Sequence, residues 1–146
     1  MTRRHRIVDF VLLGAVVAAA AVVAAGCSSS VASPATPSPS TTAESFDGSL
    51  VQSGTATHPF TVSARGTVTI SLTAVSPLTT MALGVGLGTW DGTTCSSPFA
   101  DNKDARAGAT ALTGTAAAGS YCIRVYDSGN IPADWSVAYS IDVVHP

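Results

Sequence analysis

Gly66-Thr67-Val68-Thr69-Ile70-Ser71-Leu72-Thr73 alternates small polar and branched apolar residues without a break. A period of two puts Val68, Ile70 and Leu72 on one face of an extended strand and the hydroxyl side chains on the other. A helix would scatter the same residues around its axis, so the stretch reads as a half-buried strand. The pattern recurs along the chain. Met81, Leu83, Val85 and Leu87 alternate with Ala82, Gly84, Gly86 and Gly88, and Tyr121, Ile123 and Val125 alternate with Cys122, Arg124 and Tyr126. Val137, Tyr139, Ile141 and Val143 alternate with Ala138, Ser140, Asp142 and Val144. Less regular strands are expected at residues 46–51, 58–62 and 107–112, and residues 90–104 read as a long irregular segment. Arg65-Gly66, Asp91-Gly92, Ala118-Gly119 and Ser128-Gly129-Asn130 are turn signals between the runs. No sustained 3.6-residue period appears after residue 45. The expected fold is all-β: an antiparallel two-sheet sandwich, jelly-roll-like, of about seven to eight strands, over residues 45–146.

Upstream of this domain the composition changes twice. Residues 27–44 are rich in Ser, Thr, Pro and Ala, which cannot bury enough apolar surface to offset the entropy of ordering, so a disordered linker is expected. Residues 1–26 begin with Arg3, Arg4 and Arg6, continue as an apolar run, and close on Ala24-Ala25-Gly26. A positive start, an apolar centre and small residues before a cleavage point describe an export signal. Ala24-Ala25-Gly26-Cys27 resembles a bacterial lipobox, which implies acylation of Cys27 and a lipid-anchored cell-envelope protein. In a host with two membranes, Ser28 after the anchor resembles the outward-sorted type. Three cysteines leave one odd. With Cys27 lipidated, Cys95 and Cys122 remain to form a disulfide in an oxidising compartment. Because Cys122 lies in the outward phase of its strand, that bridge is expected to staple the 90–104 segment across the outer face.

Without the leader, Arg65, Lys103, Arg106 and Arg124 stand against eight carboxylates, a net charge of −4. A sparse acidic surface without a basic patch excludes a nucleic-acid partner, which is held through Lys and Arg on phosphates. Catalysis also finds little support. The only histidines beyond the leader are His58, before a proline, and His145, next to last, where chain ends fray. No Gly-x-Ser-x-Gly turn is present to hold a nucleophile. No cofactor is indicated. Asp101 and Asp104 are the calcium candidates, set against a simple solvated acidic turn, since Lys103 lies between them and regular ligand spacing is missing. Trp90, Tyr126 and Trp135 are the candidate ligand contacts, because aromatics at sandwich edges stack on sugars or anchor protein partners.

Gly119-Ser120-Tyr121-Cys122-Ile123-Arg124-Val125 resembles the Gly-x-Tyr turn and following strand of the bacterial pre-peptidase C-terminal domain. Phe60-Thr61-Val62 with Gly66-Thr67-Val68-Thr69-Ile70 is similar to that family's opening strands, and Tyr139-Ser140-Ile141-Asp142-Val143 to its closing one. The resemblance implies a jelly-roll-like sandwich without catalysis of its own. It accompanies secreted proteases in that family, whereas here a lipid anchor would carry it alone. The expected role is a non-catalytic envelope protein that binds a protein or glycan. A structural envelope lipoprotein without a ligand, or a hydrolase with an unrecognised site, are the alternatives.

Overall fold

A computed structural model describes residues 40–146. The leader, Cys27 and most of the linker therefore lie outside the described residues. Eight antiparallel strands follow in order: β1 (Thr42–Val51), β2 (Thr55–Val62), β3 (Gly66–Ser76), β4 (Leu83–Thr89), β5 (Ala100–Ala105), β6 (Ala109–Ala116), β7 (Gly119–Tyr126) and β8 (Ser136–His145). They form two four-stranded sheets, β1-β8-β3-β6 and β2-β7-β4-β5. Every step along the chain except β4 to β5 crosses between the sheets, which is the jelly-roll order, so the expected two-sheet sandwich is the observed fold. Thr42, Ala43 and Glu44, expected in the linker, are the first residues of β1 and pair with His145, Val144 and Val143.

The core is the inward phase of both sheets. Ile70, Leu72, Ile141 and Val143 from one sheet meet Val85, Ile123 and Val125 from the other, and all are fully buried. A bulge at Thr73 shifts the phase of β3, so Val75 rather than Ala74 continues the buried row.

Three sequence expectations need correction. First, β4 is buried on both faces from Leu83 to Gly88, not on one. Its glycines leave room for close covers: the Tyr126 ring over Gly84, Pro98 over Gly86 and the Ser96 carbonyl over Gly88. Cys122 holds the expected outward phase, and the expected Cys95–Cys122 disulfide draws the segment after Trp90 over it, leaving it fully buried. Second, residues 100–105 are a strand rather than irregular chain. An edge position lets β5 stay polar on both faces, so no alternation marked it. Third, His145 does not fray. It is buried, with Nε2 donating to Glu44 Oε1 at 2.8 Å, and Pro146 accepts from Ser63 N–H.

Candidate functional site

The sheets close against each other unevenly on the side where β5 and β6 form their edges. Residues on β6 that pair with inward positions of β3 share its inward face: Leu112 opposite Ile70, Gly114 opposite Val68, Ala116 opposite Gly66. After Leu112 that row has almost no bulk. A Cβ built on Gly114 would meet nothing within 4 Å. What remains is a cleft of about 310 Å³ between the sheets, floored by Val68, Ile70 and Leu87 and flanked by Phe99, Leu112 and Tyr121.

Each wall is fixed by the local chain. Phe99 precedes β5, its N–H donates to the Leu87 carbonyl at 3.0 Å, and its ring stays 62 % exposed at the cleft mouth. The Tyr121 ring packs edge-on to Phe99 and stacks on Phe60, while its hydroxyl donates to the Ala117 carbonyl at 3.0 Å. Asn102 Nδ2 donates to the Ala111 carbonyl at 2.9 Å and ties β5 to β6 one residue before Leu112. The lining carries no side chain charged at neutral pH. An apolar cleft with few polar groups, at the small end of the ligand-pocket range of ~300–1,000 Å³, suits an apolar side chain or short chain segment.

The candidate ligand contacts inferred from sequence do not meet there. Thr89, next to Trp90, pairs with Tyr121, whereas Gly84 pairs with Tyr126. Trp90 and Tyr126 therefore stand near opposite ends of β7, about 17 Å apart at ~3.3 Å per residue. Trp90 is half-buried at the start of the disulfide loop, bridged to Cys95. Trp135, 40 % exposed, belongs to the β7–β8 connection. Tyr126 covers Gly84 on the outer face, with the Arg124 guanidinium 5.5 Å from its ring centre. Its hydroxyl donates to Asp101, 2.8 Å from Oδ1, and burial first, then Asp101, pushes its pKa up to about 12.

The calcium candidates are also separated. Asp101 lines a shallow groove with Pro98, Lys103 and Tyr126, while Asp104 pairs with Arg106 at 2.7 Å in another. Among the described residues no three His, Cys, Asp or Glu side chains gather closely enough to hold a metal ion.

Both histidines have structural partners. His58 Nε2 and the Tyr139 hydroxyl hydrogen-bond at 2.7 Å, and Phe46 stacks on the imidazole. Burial holds the His58 pKa below its ordinary value of 6.5, with Asp47 opposing. Among the described residues neither imidazole hydrogen-bonds a serine, threonine or cysteine. Sequence reasoning missed Phe99, Gly114 and the free side of β6. The only available signal was Leu112-Thr113-Gly114-Thr115-Ala116 continuing the period of two with its apolar positions reduced to glycine and alanine.

The chain matches no protein-family model and no curated protein. Among solved structures it is similar to the crystal structure of Aeromonas hydrophila PliG, a periplasmic lysozyme inhibitor of g-type lysozyme. The two share 17 % identity, with a TM-score of 0.46, over 69 % of this chain and 83 % of that one.

Proposed function

We propose that this chain is a lipid-anchored, non-catalytic protein of the cell envelope that binds a polypeptide partner through the cleft between its sheets. The observation that carries the binding role is the cleft itself: apolar, uncharged, open at Gly114 and rimmed by an exposed Phe99. A protein partner is favoured over a glycan because sugar recognition needs convergent polar groups beside an aromatic platform. Here Trp90, Tyr126 and Trp135 are dispersed and the Tyr126 hydroxyl is committed to Asp101. The non-catalytic part rests on the histidines, both held in structural bonds, and on the resemblance to the pre-peptidase C-terminal domain. The lipobox-like Ala24-Ala25-Gly26-Cys27 and the Ser/Thr/Pro-rich tether support export and anchoring.

A random peptide display library and a glycan array, both applied to the full chain, test the binding role. The expected result is selection of peptides whose affinity falls at least tenfold for Gly114→Phe, which fills the cleft. Glycan capture alone, no selection on either surface, or peptides indifferent to Gly114→Phe would contradict it.

A further inference from the structure

The four sheet edges are guarded unequally, and we propose from this that β6 is a strand-addition site. It would take an extended, uncharged segment of a partner protein, with one apolar side chain of that segment entering the cleft over Gly114. The proposal rests on the polypeptide-binding role above and specifies its geometry.

An edge strand presents unpaired N–H and C=O groups and invites pairing unless charge, proline or a cover prevents it. β1 carries Glu44 and Asp47, β2 carries Pro59, and β5 carries Asp101, Lys103 and Asp104. β6, Ala-Thr-Ala-Leu-Thr-Gly-Thr-Ala, has neither a charge nor a proline. Its outer edge is bonded at two places, by Asn102 at the Ala111 carbonyl and by Tyr121 at the Ala117 carbonyl just beyond the strand. Between them residues 112–116 have only β3 as a ladder partner among the described residues. Five residues span ~17 Å, enough for one short strand.

The same five residues line the cleft. A strand laid along them would point alternate side chains inward, into the space between β6 and the Phe99 ring. Backbone bonds would then supply affinity and the cleft would select the side chain, the division of labour in strand addition. A charged side chain there would lose its hydration with no counter-charge in the lining, so the inserted residue is apolar. A second copy of this chain fits poorly. Its β6 would offer the cleft only glycine and alanine beyond Leu112.

The test uses the full chain and a fluorescein-labelled, end-capped nonapeptide with threonine on one face, valine on the other and a central phenylalanine among the valines. Binding should slow hydrogen exchange at least tenfold at those amides of residues 112–116 that do not already donate to β3. Gly114→Lys, an inward charge built into open space, should weaken binding at least tenfold, whereas Gly114→Ala should stay within threefold of the parent. The same peptide N-methylated throughout should also bind at least tenfold more weakly, and this arm holds even if Gly114→Lys fails to fold. Protection elsewhere, or indifference to N-methylation, would overturn strand addition. A sedimenting dimer with residues 112–116 protected in the absence of peptide would overturn it in favour of self-pairing. If this peptide fails while display selection yields others, strand addition falls and polypeptide binding stands; if both fail, both fall.

Discussion

Gly114 is the residue on which the binding role depends. Glycine inside a strand costs roughly 0.5–1 kcal/mol relative to alanine, because it loses more backbone freedom and packs nothing. A Cβ built on Gly114 meets no atom within 4 Å, so a small side chain is accommodated there. Gly114→Val is therefore expected to raise stability by about 0.5–1 kcal/mol in urea unfolding while weakening peptide binding. Improved stability with unchanged binding would mean the glycine has no functional use. His58 supplies a second prediction at this scale. Its folded pKa lies below its unfolded one, so below about pH 6.5 the unfolded chain binds the proton first. Its contribution is thus present at neutral pH and is lost as pH falls from there through the lower folded value. His58→Gln, which keeps a hydrogen-bonding group for Tyr139 but does not titrate, should flatten that part of the unfolding curve between pH 8 and 5.

At the level of elements, the disulfide segment and the β7–β8 connection each hang on one feature. The Cys95–Cys122 bridge closes a separation of 27 residues, worth roughly 3.5 kcal/mol in the chain-entropy estimate. The Cys95→Ala/Cys122→Ala double variant should lose about that much in urea unfolding. It should also show faster hydrogen exchange over residues 90–99, the cover of β4. In the second case, Asp127 Oδ1 accepts from the backbone N–H of Gly129, Asn130 and Ile131, and Oδ2 from that of Ser53. Those amides outweigh burial and hold its carboxyl below the usual carboxylate range. Asp127→Ala should cost about 1–3 kcal/mol, because the amides lose a charged acceptor. With the carboxylate in place, its contribution is present above about pH 4 and is lost as pH falls through the depressed value. Legibility followed burial. β3, β7 and β8 announced themselves because one face is core and the other is solvent or polar cover. β5 was invisible because Asp101-Asn102-Lys103-Asp104 is polar on both faces at an edge, and a period of two needs a buried face to show. The outward phase of Cys122 could be read from its neighbours. Its cover followed from the odd cysteine count, which paired it with Cys95 27 residues away and so drew that segment across the outer face.

For the whole molecule, the jelly roll followed from many concordant alternations, whereas the candidate site did not. A cleft is a deficit of side-chain volume where two sheets meet, and which sheet ends diverge is a property of topology rather than of any one segment. Residues with evident chemistry, the Trp90, Tyr126 and Trp135 aromatics and the Asp101 and Asp104 carboxylates, were instead drawn into separate local contacts. The envelope role also depends on the anchor. Cys27→Ser should abolish fatty-acid labelling and move the protein from the membrane to the soluble fraction; labelling that persists would refute lipidation. Binding through the cleft is tested most directly by methyl NMR of the full chain titrated with a display-selected peptide. Binding there predicts that the methyl resonances of Val68, Ile70, Leu87 and Leu112 shift together with one saturation curve and stay unmoved in Gly114→Phe. Shifts confined to Leu78, Met81 or other methyls remote from the cleft would contradict it.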